Sequence, residues 1–311
     1  MTAANPKSVF IDGEAGTTGL QIRDRLAGLP GVTVKSIDPA RRKDSDARAE
    51  IMRDVDLVVL CLPDDAAKDA VALADRLGKD APKLVDASTA HRVAAGWVYG
   101  FAELDAKQAD AIAKAQRVAN PGCYPTGAIA LIRPLIDAGI IPADHPISVN
   151  AVSGYSGGGK SMIESYEVAK TAPAFELYAL GLEHKHVPEL MAYTGLKRRP
   201  IFVPSVGNFK QGMLVSIPLH LATLPGKPTV AAIEAALAAH YAGPTRVRVV
   251  KDAANLTRLD ALTLNDTDDL ELYVFGRDAL GHALLVARLD NLGKGAAGAA
   301  VQNLKLMLGL A

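Results

Sequence analysis

The residues of this chain best suited to chemistry are Cys123 and the pair His184 and His186. Cys123 lies in Asn120-Pro121-Gly122-Cys123-Tyr124-Pro125-Thr126-Gly127, between the strand-like run 116–119 and the apolar, helix-like run 128–136. A thiol on a strand-to-helix turn meets unpaired backbone N–H groups and the positive end of a helix dipole, and both favour the thiolate. The flanking prolines and glycines keep the backbone tight and the side-chain bulk low. A free cysteine is equally at home as a small buried hydrophobe, so the nucleophile reading needs support from elsewhere in the chain. The histidines stand in Glu183-His184-Lys185-His186-Val187-Pro188-Glu189, where Pro188 marks a helix start. One imidazole beside a thiolate suffices as acid and base. Alternate residues of an extended segment face opposite ways, so only one of the two is expected to reach Cys123. A catalytic zinc needs three protein ligands and no companion motif accompanies this pair, so no metal is expected.

The elements that position these groups follow from the pattern of the first half. Ser8 to Asp12 is a strand-length apolar run, and it leads through Gly13-Glu14-Ala15-Gly16-Thr17-Thr18-Gly19 into the helical spacing Leu20, Ile22, Leu26. Strand, glycine loop and helix in that order form a phosphate cradle, so Gly13, Gly16, Thr17, Thr18 and Gly19 are expected to hold a dinucleotide. The spacing is Gly-x-x-Gly-x-x-Gly, an imperfect match to the commoner fingerprint. A second strand, 32–37, ends at Asp38, where an acid for the ribose of NAD is expected; Arg41, Arg42 and Lys43 follow at once and suit a 2′-phosphate, which points to NADP. Further strands at 57–62 and 83–86 alternate with helices at 44–53 and 64–77, which implies a parallel, doubly wound sheet. Cys61 falls within a continuous apolar run and reads as core, although the loop that it opens with Leu62 and Pro63 follows a strand. That loop, the glycine loop, Ser88 to Arg92 and Asn120 to Cys123 are all expected on one sheet edge, where such sheets bind ligands. This convergence argues for Cys123 lying near a bound cofactor, with Cys61, Leu62, Pro63 and Ser88 among its contacts.

Beyond Pro142 the grammar changes. Strand candidates at 147–152, 201–206, 213–221, 246–250, 270–275 and 283–289 alternate apolar and polar residues, and helices are expected at 161–171, 188–194 and 229–241. The fold class is therefore α/β, a Rossmann-like doubly wound parallel sheet plus an α+β domain with a mixed or antiparallel sheet. The small-residue run 292–301 becomes helical and is expected to return to the first domain, giving domains of 1–146 with 291–311, and 147–290. Ser153-Gly154-Tyr155-Ser156-Gly157-Gly158-Gly159-Lys160 is a turn whose donors suit phosphate or carboxylate, though it lacks the order of an ATPase loop. The chain has 311 residues, 49% hydrophobic and 22% charged, with 34 basic against 34 acidic groups. That balance gives no electrostatic case for nucleic acid or an anionic membrane. Two cysteines argue against a disulfide framework and for a reducing cytoplasm. The polar start, Met1 to Lys7, lacks the apolar stretch of a signal peptide, and no run is long enough to span a membrane.

Taken in order, Gly13 to Gly19, Asn120 to Thr126, Ser153 to Gly157, His184 to Glu189 and the tail Gly295 to Asn303 form a combination that resembles N-acetyl-gamma-glutamyl-phosphate reductases of arginine biosynthesis, the shorter type, over essentially the whole chain. It is more distantly similar to aspartate-semialdehyde dehydrogenases. Ser88-Thr89-Ala90-His91-Arg92 departs from the Ser-Ala-Asp-Phe-Arg of the longer type. The resemblance implies NADP(H)-dependent reduction of a small acyl phosphate to an aldehyde through a thioester on Cys123, with His184 or His186 moving protons. It also implies cofactor contacts at Ser153, Gly154, Gly157, Gly158, Asn291 and Gly295, substrate contacts at Arg92, Asn120, Lys160 and Glu189, and a homo-oligomer, dimer or tetramer. The alternatives are a reductase of a related acyl phosphate, such as aspartyl phosphate, and a catalytically silent NADP sensor.

Overall fold

The computed structural model describes residues 5–243, 245–251 and 253–310. Residues 1–4 of the polar start lie outside the described residues. The chain divides into two compact units. The first comprises the described residues up to Ala102, Lys107–Pro121 and those from Ala296 on; the second comprises Glu103–Ala106 and Gly122–Gly295.

The first unit contains β1 (Lys7–Asp12), α1 (Thr17–Leu26), β2 (Val32–Lys35), α2 (Ser45–Arg53), β3 (Leu57–Leu60), α3 (Asp64–Asp75), β4 (Lys83–Asp86), β5 (Val98–Tyr99), α4 (Gln108–Lys114) and β6 (Arg117–Ala119). Its six strands form one sheet in the order β2-β1-β3-β4-β6-β5, every pair parallel. Leu57 to Leu60 are all buried, as a central parallel strand covered on both faces requires. On one face Ile22 and Leu26 of α1 pack with Val9, Ile11, Leu57 and Val59; on the other Met52 of α2 and Ala70, Val71 and Ala74 of α3 pack with Phe10, Val58 and Leu60. Each such large side chain removed from water contributes roughly 1.5–3 kcal/mol. Asp12, Leu60, Asp86 and Ala119 pair in one row across the strand ends, so the four loops that follow them leave from the same edge. The strand order reverses between β1 and β3, and there a crevice opens beyond the carboxyl ends of the strands.

The second unit contains α5 (Cys123–Asp137), β7 (Ser148–Gly154), α6 (Gly159–Glu167), β8 (Phe175–Leu177), α7 (Val187–Thr194), β9 (Ile201–Gly207), β10 (Met213–His220), α8 (Val230–His240), β11 (Val247–Val249), β12 (Leu270–Arg277) and β13 (His282–Leu289). Its seven-stranded sheet runs β11-β12-β13-β10-β7-β9-β8, with β7–β9 and β11–β12 parallel and the other pairs antiparallel. Helices α5 and α8 cover one face. A last helix, α9 (Gly298–Leu308), returns to the first unit and places Ala300, Leu304 and Met307 in its core. No helix among the described residues is long and apolar enough to cross a membrane.

Two expectations shift. The first part of the first unit was expected to run to residue 146, but the chain leaves that unit after Pro121 and returns to it at Ala296. The reason is α5, whose Gly127 lies against Val215 of β10 and Ala287 of β13 so closely that a Cβ there would sit 2.8 Å from Val215 Cγ2. The helix expected over 128–136 begins instead at Cys123 with Gly122 as its N-cap. Pro125 is tolerated because its missing N–H falls among those that a helix start leaves unpaired.

Candidate active site

In the first unit the crevice between β1 and β3 is a cleft of about 760 Å³ lined by Gly13, Glu14, Gly16, Ser36, Arg42, Lys43, Cys61, Leu62 and Pro63, among others. Gly13 has φ +91°, and a Cβ there would stand 2.3 Å from the Cys61 carbonyl oxygen, so no side chain fits. Gly16 caps α1, Thr17 and Thr18 open it, and Gly19 is buried one step further along. A cradle of this shape, with a helix N-terminus behind it, fits the pyrophosphate of a dinucleotide. The adjoining cations divide: Arg42 and Lys43 line the cleft, whereas Arg41 donates through Nε to Asp44, which also caps α2. Asp38 does not line it; its carboxylate accepts from the Ala40 amide. The cleft holds one pair that sequence reasoning missed. Asp12 is 6% exposed and accepts from Arg48 Nε at 3.1 Å. Burial raises the Asp12 carboxyl above its ordinary value, and the Arg48 charge and hydrogen bonds pull against that shift. Burial also pushes the Cys61 thiol up to about 12, with the charges of Asp86 and Asp12 adding to it, so Cys61 lines the cleft as an un-ionised thiol.

The next two loops on this edge are held by their own network. Asp86 accepts from the Ser88 amide at 2.9 Å, the Ser88 hydroxyl at 2.7 Å and His91 Nδ1 at 2.6 Å, and His91 stacks on Trp97. Ser88, expected at the cofactor, is thus committed to Asp86. Arg92 is buried and donates from Nε to the Asn120 carbonyl at 3.0 Å. Asn120 in turn donates from Nδ2 to the Ala296 carbonyl and accepts from Asn303 Nδ2. These bonds fasten both residues, expected to bind substrate, to the turn that leads to Cys123.

In the second unit Cys123 is the first residue of α5. Glu189 of α7, 1% exposed, accepts from the Gly122 amide at 2.7 Å. Its carboxylate fills the role of a cap at the start of the cysteine's helix. His184 and His186 do not face opposite ways. Residues 184–187 form a turn, and the rings lie 4.7 Å apart, at 6.3 and 5.9 Å from the Tyr124 ring. His184 Nδ1 accepts from the His186 amide at 3.1 Å, which leaves the proton of a neutral ring on Nε2. Tyr178, which no spacing singled out, also belongs here. Burial pushes its hydroxyl up to about 12, against a hydrogen bond with Tyr124 and with the Cys123 sulfur's charge adding to the rise.

The turn 153–160 is less open than expected. The amides of Gly154, Tyr155 and Ser156 donate to the carbonyls of Gly212, Phe209 and Lys210, and the Ser153 hydroxyl donates to the Gly154 carbonyl. Those donors are therefore not free for an anion. Gly157 and Gly158 end the short 3-10 turn that follows, and Lys160 is exposed in the first turn of α6. Asn291, expected at the cofactor, uses its carbonyl to accept from the Gly212 amide and its Nδ2 to donate to Ser156 Oγ. Gly295 backs Cys123 directly: a Cβ there would stand 2.9 Å from Cys123 Cβ.

Two family models match the chain, the semialdehyde dehydrogenase NAD binding domain over residues 11–112 and the semialdehyde dehydrogenase dimerisation domain over residues 123–291. The N-acetyl-gamma-glutamyl-phosphate reductase of Brucella ovis is 55% identical over 308 residues, covering 97% of this chain and 98% of that protein. The chain belongs to the N-acetyl-gamma-glutamyl-phosphate reductase family. The reductase of Brucella suis biovar 1 matches at the same 55% and coverage. Among solved structures, aspartate semialdehyde dehydrogenase II of Vibrio cholerae, complexed with ASA, superposes with a TM-score of 0.73 at 15% identity, covering 98% of this chain and 99% of that one. The aspartate semialdehyde dehydrogenase of Candida albicans with NADP gives 0.64 at 16% identity, covering 97% and 98%. A chain of the N-acetyl-gamma-glutamyl-phosphate reductase family thus shares its fold with aspartate semialdehyde dehydrogenases.

Proposed function

We propose that this chain catalyses the NADPH-dependent reduction of N-acetyl-gamma-glutamyl phosphate to N-acetylglutamate 5-semialdehyde and phosphate, a step of arginine biosynthesis. The observation that carries the reading is Cys123 at the first position of α5, with its neighbour Tyr124 packed against the histidine pair, in a chain 55% identical to such reductases. The cofactor is assigned to the first unit's cleft, with Gly13 and Gly16 against its pyrophosphate, Leu62 and Pro63 along it, and Arg42 and Lys43 at the 2′-phosphate. NADPH held by these residues would supply the hydride that reduces the thioester.

The protein's residues do the remainder. The Cys123 thiolate adds to the γ-carbonyl carbon; the bond from that carbon to the phosphate oxygen breaks, and phosphate leaves with the electron pair. After reduction the thiohemiacetal collapses, its oxygen forming the aldehyde and the sulfur leaving as thiolate. His186 is assigned the proton transfers, because the one basic nitrogen of a neutral His184 ring is already engaged by a backbone amide. Changing Cys123→Ser tests the scheme: turnover falls by about 10³-fold or more and no acyl-enzyme is trapped, because a serine hydroxyl here lacks the thiolate's nucleophilicity. Turnover near wild type would remove the covalent route.

A reducing cytoplasm keeps such a thiol free and is the compartment proposed. We also assign a homo-oligomer. The sheet face of the second unit opposite α5 carries an apolar groove of about 660 Å³ lined by Leu177, Leu214, Leu256, Leu284 and Val286 among others, and Leu177, Leu256 and Leu284 are exposed. A second copy covering that face would remove them from water, in keeping with the dimerisation domain that the family model names over this unit.

A further inference from the structure

Lys294 and Glu103 form an ion pair at 2.6 Å between side chains only 1% and 9% exposed. Neither touches solvent enough to meet a substrate, and a buried ion pair is a weak source of stability compared with an apolar pair of the same size. Its place in the fold gives it another use. Lys294 sits in a π-helical turn, Gly293–Ala297, a conformation that proteins keep mostly at functional positions. The turn has no slack on either side: a Cβ on Gly293 would stand 1.9 Å from the Thr267 carbonyl oxygen, and one on Gly295 2.9 Å from Cys123 Cβ. Its entry is fixed by Asp290, whose carboxylate accepts from the amides of Leu292 and Asp266, both at 2.8 Å, and whose carbonyl accepts from the Gly295 amide at 2.9 Å. Lys294 lies between the two close-packed glycines, and its ammonium reaches a carboxylate 191 residues away in sequence.

We propose that the Lys294–Glu103 pair positions the nucleophile: it clamps the π-turn whose Gly295 forms the wall behind Cys123, and so fixes the direction of the sulfur. Both are positioning residues, acting on the reaction through Gly295. The inference rests on the reading of Cys123 as nucleophile, and it concerns how that sulfur is held.

The test compares Lys294→Met with the double variant Lys294→Met/Glu103→Gln. The single variant strips the ammonium from a buried carboxylate and loses both thermal stability and turnover. The double variant removes both charges and recovers a Tm within about 3 °C of wild type. Its kcat stays about 10- to 100-fold low with KM for NADPH changed less than about twofold, because the sulfur is no longer held on line. Iodoacetamide alkylation at Cys123, followed by mass spectrometry across pH, changes in parallel and reads the thiol whether or not turnover occurs. A double variant that regains wild-type kcat and alkylation kinetics overturns the proposal, as does one that fails to fold, since the pair would then serve the fold alone. Wild-type enzyme that turns over after complete alkylation of Cys123 would instead sink the functional reading.

Discussion

On the proposed assignment, a 2′-phosphate entering the first unit's cleft would meet Arg42 and Lys43, which line it beside Ser36, while Arg41 is held by Asp44. Charge-assisted hydrogen bonds to phosphate are worth about 1.5–3 kcal/mol each, so losing two of them in Arg42→Ala/Lys43→Ala should raise KM for NADPH by about 100-fold or more and leave KM for NADH within about twofold. Arg41→Ala should move neither. Steady-state kinetics with both cofactors decides this, and equal losses for NADPH and NADH would show that the cations do not read the 2′ position. The three basic residues adjoin in sequence, and only the fold separates them, because an aspartate three positions on captures the first. Cys123 was legible for the opposite reason: its turn, proline pattern and following helix are all local. The bond from the Gly122 amide to Glu189 could not be foreseen, because that amide lies 67 residues away, which no spacing rule reports. Tyr178 left no sequence signal either, since it reaches the site from an irregular segment.

Among the elements, the paired strands β12 and β13 carry a charged cluster on the sheet face opposite α5. Glu271 stands opposite Arg288 in register, is 4% exposed, and accepts from Tyr273 Oη at 2.5 Å and Arg288 Nε at 2.9 Å. Burial alone would raise its carboxyl, but hydrogen bonds from Tyr273 and Arg288 and the charges of Arg288 and Arg248 outweigh it and hold the pKa below the ordinary 4.5. A depressed carboxylate stabilises the fold above its unfolded value and loses that contribution as pH falls through the folded one. Thermal melts from pH 7 to below 4.5 should therefore show Glu271→Gln less stable at pH 7, by about 3 kcal/mol for a broken buried pair, with the gap to wild type closing in acid. A gap constant across that range would mean that the charge contributes nothing. The long strands β9, β10, β12 and β13 were readable from alternation and turn signals. By contrast β5 and β8, with two and three residues at sheet edges, were not, because so short a run carries no period and borrows its pairing from a neighbour. The start of α5 was missed because an apolar count begins where large side chains do, while the helix itself begins at a glycine cap.

For the molecule as a whole, the exposed groove on the second unit's sheet is the surface proposed for assembly. Phe175, Leu177, Leu256 and Leu284 are 56, 49, 45 and 40% exposed, an apolar patch that a stable subunit contact would bury. Leu284→Asp should therefore shift the protein to a monomer in light scattering at micromolar concentration, with its secondary structure retained. An unchanged assembly would place the contact elsewhere. Two units could be foreseen from the change of grammar near residue 142, and their internal architecture follows the reading closely. The segment Glu103–Ala106, embedded in the first unit's sequence and belonging to the second, could not be foreseen, because nothing local in four residues records a partner such as Lys294.

The return of α9 has a consequence for how the polypeptide is made. Ala297, Ala300, Leu304 and Met307 complete an interior that begins with Val9 and Ile11, so the nucleotide-holding half lacks part of its filling until α9 has been made. The other half, almost continuous from Gly122 to Gly295, emerges whole before that. Synthesis thus delivers the later-encoded half first as a self-sufficient body, and the earlier-encoded half waits, its greasy interior unsealed, for α9.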